Sequence, residues 1–147
     1  MTIRSHRTVP GLVQALAEAN TRTLRGVFAD EGLDGLRPAH VLVLARLLGG
    51  GRRAVDLATD IGVSPQAVAQ VAVTLERAGY MSRVSDPADA RAKLLCLTDR
   101  GRYALRVTRA AGEQVEQRWG QALGEDDLDR LRRLLIAVLD LESGEQT

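Results

Sequence analysis

The run Ile61-Gly62-Val63-Ser64-Pro65 constrains this chain more than any other stretch. Before it, Val55, Leu57, Ala58 and Ile61 give one apolar face to a short helix predicted over about Ala54 to Ile61. After it, Val68, Val71, Ala72 and Leu75 do the same for a second helix that Gly79 ends. Gly62-Val63 is expected to form a tight turn, Ser64 to cap the second helix, and Pro65 to occupy its first position. Two short helices joined this way let the second leave the body at a steep angle. Once its apolar residues face inward, the helical period leaves Pro65, Gln66, Ala69, Gln70, Val73, Thr74 and Arg77 outward.

The rest of the chain also reads as helix, with one exception. Leu12, Val13, Leu16, Ala19, Leu24, Val27 and Phe28 follow helical spacing from Val9 to about Asp30. Pro38 opens another apolar helix through Val41, Leu44 and Leu48, which Gly49-Gly50-Gly51 is expected to stop. The exception is Tyr80–Val84 and Lys93–Leu97, which flank the turn-rich Ser85-Asp86-Pro87-Ala88-Asp89 and predict a β-hairpin with a loop longer than two residues. Thr98 should cap a long helix running to about Trp119 and closed by Gly120. Leu128, Leu131, Leu134, Leu135, Val138 and Leu141 stripe a last helix from about Glu125. Phe28, Tyr80, Tyr103 and Trp119 are the only aromatics, so the core must be Leu, Val and Ala, which suits helix packing. Ser143 to Thr147 are expected to be disordered.

Net charge is only +1, but it is unevenly spread. Residues 37–109 hold twelve Lys/Arg against six Asp/Glu, residues 1–36 balance, and residues 110–147 hold nine acids against four bases. A basic middle between neutral and acidic ends fits a polyanion-binding module on a non-binding scaffold. A projecting helix can enter the DNA major groove, where Gln66 and Gln70 could read adenine edges, while Ser64 and the helix's free N–H groups could hold a phosphate. The hairpin carries Arg83, Asp86, Asp89, Arg91 and Lys93 and is expected to act as a wing, laying Arg91 in the neighbouring minor groove. Asp89 is expected to fix the Arg91 rotamer by pairing, and Arg52 and Arg53 to add phosphate contacts. Ordinary readings stand beside these, since an isolated helix-turn-helix also occurs as a plain αα-corner and an Asp/Arg-rich turn as solvated surface.

Other chemistry is poorly supported. The single Cys96 forms no intrachain disulfide and reads as a strand residue rather than a redox sensor. His6 and His40 are distant, so no metal set can be assembled; His40 is expected to be a hydrogen-bonded histidine. Gly49-Gly50-Gly51 lacks the Gly-Lys-Ser/Thr ending of a phosphate loop, and neither a cofactor site nor a nucleophile–base pair can be read. With no signal-like start and no long apolar run, the chain is expected to be cytoplasmic and free of membrane. Trp119 and the leucine stripe over 128–141 are expected to be buried in a homodimer.

Leu36-Arg37-Pro38-Ala39-His40-Val41-Leu42-Val43-Leu44, Leu57-Ala58, Gly62-Val63-Ser64, Leu75-Glu76-Arg77-Ala78-Gly79-Tyr80, Asp89-Ala90-Arg91 and Leu97-Thr98-Asp99-Arg100-Gly101-Arg102 resemble the MarR (multiple antibiotic resistance regulator) family. The resemblance implies a mainly α fold with a small β-hairpin wing. A winged helix-turn-helix lobe would span 37–100, and residues 1–36 and 101–147 would form a helical dimerisation region. It further implies a homodimer on a pseudo-palindromic operator in double-stranded DNA, with a small aromatic or anionic effector, or thiol oxidation, releasing it. On that reading Ser64, Pro65, Gln66, Ala69, Gln70, Thr74, Arg77, Arg83, Asp89, Arg91 and Lys93 face DNA. The family often has Thr and Arg where this chain has Ala69 and Gln70, and an Asp-Arg pair where it has Val73 and Thr74, so this face is less basic. The alternative function is a winged-helix protein-interaction module with weak or no DNA binding.

Overall fold

The computed structural model describes residues 8–144; His6 and the expected disorder of residues 145–147 fall outside them. Along the chain run α1 (Val9–Asp30), a 3₁₀ turn (Pro38–His40), α2 (Val41–Ala45), α3 (Ala54–Ile61), α4 (Pro65–Arg77), β1 (Met81–Asp86), β2 (Asp89–Leu97), α5 (Asp99–Leu123) and α6 (Glu125–Glu142). The fold is therefore mainly helical with one antiparallel hairpin, β1–β2. The described chain falls into two compact units, one ending at Arg109 and the other beginning at Ala110, with the boundary inside α5.

The first unit is held by an aliphatic core. Phe28 from α1, Val43, Leu44 and Leu47 around α2, Leu57 and Ala58 from α3, and Val68, Ala72 and Leu75 from α4 pack with Met81, Leu95 and Leu97 of the hairpin. Tyr80 sits fully buried among them. Its hydroxyl donates to the Asp34 carbonyl at 2.8 Å, and Arg100 both donates to that hydroxyl at 3.1 Å and stacks over the ring. Arg100 also donates to the Gly32 carbonyl, so one Tyr–Arg pair ties the loop after α1 to the start of α5. Gly101 permits this approach, because a Cβ there would lie 2.1 Å from the Tyr80 carbonyl oxygen.

Several boundaries differ from the sequence expectation. The helix after Pro38 ends at Ala45, and residues 46–49 continue as i→i+3 turns such as Leu47 N–H to Leu44 O and Leu48 N–H to Ala45 O. Gly120 does not close α5. That helix runs to Leu123, and Gly124 makes the turn into α6. Gly120 instead provides a close approach, since a Cβ there would lie 2.9 Å from Glu125 Oε1 and 3.4 Å from Leu128 Cδ2.

In the second unit Leu128 is buried, and Arg132 pairs with Glu116 and Asp129. The outer part of α6 leaves Leu134, Ile136, Val138, Leu139 and Leu141 exposed. No helix among the described residues is long and apolar enough to cross a membrane, and no cluster of His, Cys, Asp or Glu among them could hold a metal.

Candidate nucleic-acid interface

Local sequence sets the geometry of α3 and α4. Gly62 adopts φ 77° and ψ 34°, a left-handed conformation that an L side chain takes only with strain, and it stops α3 while its N–H bonds back to Ala58. Ser64 is extended and its hydroxyl accepts the Ala67 N–H at 3.1 Å, with Pro65 in the first turn. α4 buries Val68, Ala72 and Leu75 and half-buries Val71. Ser64, Pro65, Gln66, Ala69, Gln70, Val73, Thr74 and Arg77 are all exposed, as the helical period indicates. The Thr74 hydroxyl donates to the Gln70 carbonyl at 3.2 Å, so it is occupied within the helix.

The hairpin is anchored more firmly than the sequence suggests. Its loop has only two residues, Pro87 and Ala88, because the Asp86 carboxylate accepts the Ala88 N–H at 2.9 Å and closes the turn. The same carboxylate accepts from Arg53 Nε at 2.8 Å and Nη2 at 2.6 Å. Both bonds hold the Asp86 carboxyl below its ordinary range, the Ala88 bond most, and the Arg53 guanidinium is pushed up by Asp86. Arg52 and Leu95 exchange backbone hydrogen bonds at 3.0 and 2.8 Å, adding a one-residue bridge beside β2. The segment before α3 thus clamps the wing at its base and at its tip.

Arg52 and Arg53 are each paired with an acid, Arg52 with Asp60 at 3.1 Å and Arg53 with Asp86. One sequence expectation is corrected. Asp89 does not pair with the Arg91 guanidinium; its carboxylate accepts the Arg91 backbone N–H at 3.0 Å and shapes the chain there. The Arg53–Asp86 clamp lay beyond sequence reasoning because it joins residues 33 positions apart.

The remaining wing residues fall as follows. Ser85 pairs with Lys93 and Asp86 with Asp89, so the register slips and Ala90, Arg91 and Ala92 bulge on β2. Arg91 is exposed on that bulge, Lys93 donates to the Ser85 hydroxyl at 3.0 Å, and Arg83 pairs with Glu76 of α4 at 2.9 Å. His40 is buried and its Nδ1 accepts the Arg37 N–H at 3.2 Å, the hydrogen-bonded role expected of it. Burial, and secondarily Arg37, lowers its pKa. Cys96 is half-buried on β2 beneath Gly51.

A model described as the MarR family matches residues 39–93, the segment that contains α3, α4 and most of the hairpin. That match covers 55 of the 147 residues. Among solved structures, the transcriptional repressor CouR bound to a 23-mer DNA duplex is 25% identical, with a TM-score of 0.72 over 90% of this chain and 92% of that one. Wild-type MarR from E. coli in its apo form is 23% identical, at 0.69 over 90% and 98%. The PcaV transcriptional regulator from Streptomyces coelicolor, in complex with its natural ligand, is 22% identical, at 0.69 over 95% and 97%. No curated protein matches the chain by sequence. The mostly helical fold with its β1–β2 hairpin matches the winged-helix fold of these MarR-family structures.

Proposed function

We propose that the protein is a homodimeric, sequence-specific DNA-binding regulator, acting as a repressor that a small molecule releases. The observation that carries this reading is the α4 face, a capped helix with its polar side chains outward beside a clamped, cation-bearing wing. CouR, of the same fold, was solved on a DNA duplex, which supports the same use here.

In this reading Ser64 and the start of α4 seat a phosphate, with Pro65 setting the entry of the helix. Gln66 and Gln70 read adenine edges, Ala69 and Thr74 line the groove, and Arg77 reaches the backbone. Arg91 enters the minor groove, Asp89 shapes the bulge that presents it, and Lys93 and Arg83 contact phosphates at the wing, Arg83 from its pair with Glu76. Two copies join through residues 1–36 and 101–147. The exposed Val9, Leu12, Val13 and Leu16 of α1 and Leu134, Ile136, Val138 and Leu139 of α6 supply apolar area for that contact. A small aromatic or anionic effector would favour a dimer whose helix spacing mismatches the operator; the ligand-bound PcaV structure supports this extension.

A gel shift on the DNA upstream of the protein's own coding region tests the reading. Binding at about 10⁻⁸ M or tighter that weakens with salt, and is lost on replacing Gln66 and Gln70 together by Ala, is the expected result. Absence of salt-sensitive binding would instead favour a protein partner for the non-basic α4 face.

A further inference from the structure

The outward face of α4 carries less charge than a helix meant only to grip phosphates. Gln66, Ala69, Gln70, Val73 and Thr74 are exposed and uncharged, and Val73 alone is 47% exposed. Thr74 offers a methyl and an acceptor oxygen but no donor, because its hydroxyl proton goes to the Gln70 carbonyl. The cations stand at the margins, with Arg77 at the end of α4 and Arg91 and Lys93 on the wing. This is complementary to a major groove with phosphates at its rims and methyl groups on its floor.

Only thymine displays a methyl group in that groove, and small apolar side chains recognise it by contact. Resting on the DNA-binding reading above, we infer that Ala69 and Val73 are specificity-determining residues that read thymine methyls, so that each operator half-site holds thymines beside the adenines read by Gln66 and Gln70. Ala69 and Val73 are one helical turn apart, about 6 Å along the axis at about 1.5 Å per residue. A base pair rises about 3.4 Å, so the two thymine contacts fall about two steps apart.

The test selects duplexes from a random pool with the full-length chain, then replaces single thymines in the selected site by deoxyuridine. That swap removes one methyl and leaves every hydrogen-bonding edge intact. The wild-type chain should lose about three- to fourfold in affinity at each of two thymines per half-site, the worth of one buried methyl. Val73→Ala should shrink the penalty at one of them and Ala69→Gly abolish it at the other, while both variants keep their salt dependence. Both positions lie outside the core; Ala69→Gly costs about 1 kcal/mol of helix propensity, so each variant is read by its own ratio of thymine to deoxyuridine affinity. Salt-sensitive, sequence-specific binding indifferent to every deoxyuridine, or a penalty unchanged in both variants, overturns this inference alone. Failure to enrich any duplex overturns the DNA-binding reading and the inference with it.

Discussion

Gly101→Ala should destabilise the protein, although the same change in a helix normally helps. A Cβ on Gly101 would stand 2.1 Å from the Tyr80 carbonyl oxygen, 3.2 Å from its carbon and 3.0 Å from Leu97 Cδ2. Ordinary contact begins at 3.4 Å, so α5 and the Tyr80 backbone must part by about 1.3 Å. Tyr80 cannot give freely, because it is fully buried and its carbonyl accepts the Thr98 N–H. Overpacking costs about 1–3 kcal/mol, and an obstructing main-chain atom places this case at the upper end. Alanine recovers about 1 kcal/mol of helix propensity, leaving a net loss of about 2 kcal/mol. Gly26→Ala is the control, since Gly26 lies inside α1 with nothing within 4 Å of its Cβ position. Its gain is the propensity alone, about 1 kcal/mol. Thermal unfolding should show Gly101→Ala lower by about 8 °C and Gly26→Ala higher by about 4 °C, at about 4 °C per kcal/mol. A Gly101→Ala midpoint at or above that of the wild type would refute the close approach of α5 to Tyr80.

Further expectations follow from single contacts. Asp86 has a depressed carboxyl pKa in the fold, so its stabilising contribution is present above its ordinary value of 3.8 and is lost as pH falls through the lower folded value. Urea midpoints across that acid range should fall more steeply for wild type than for Asp86→Asn, and parallel curves would count against the clamp. His40 is held neutral by burial, so below its ordinary 6.5 the unfolded chain binds the extra proton and stability drops. His40→Gln should flatten the midpoint-against-pH curve between about pH 6.5 and 5, the range just below the free imidazole value. Arg91→Ala should weaken DNA binding without moving the thermal midpoint, because its guanidinium lies exposed on the β2 bulge; wild-type affinity would reject a minor-groove role. Leu139 is 64% exposed on α6, so Leu139→Asp should keep the helical fold yet sediment as one chain at micromolar concentration. Retained two-chain sedimentation would exclude that face from the dimer contact.

What the sequence made legible follows physical range. The α4 face could be read directly, because its inward and outward positions depend only on a 3.6-residue period and on a Ser-Pro start a few residues away. Helix ends were harder. Gly120 has the composition of a stop, but it lies inside α5 because Glu125 and Leu128 fold back against it, a tertiary demand that local sequence does not carry. The wing tip went astray for a similar reason. Asp89 sits two residues from Arg91, which suggests a side-chain pair, yet the carboxylate reaches the nearer backbone N–H. Arg53 reads as a loose loop cation until the fold brings Asp86 beside it. Burial of Tyr80 beneath Arg100 could be suspected from neither residue alone.

A protection footprint of the full-length chain on a selected duplex tests the central proposal most directly. The account predicts two protected major-groove patches on one face of the DNA, centred about 10 base pairs apart, with flanking minor-groove protection that Arg91→Ala removes. Uniform protection without such spacing, or none at all under low salt, would contradict it.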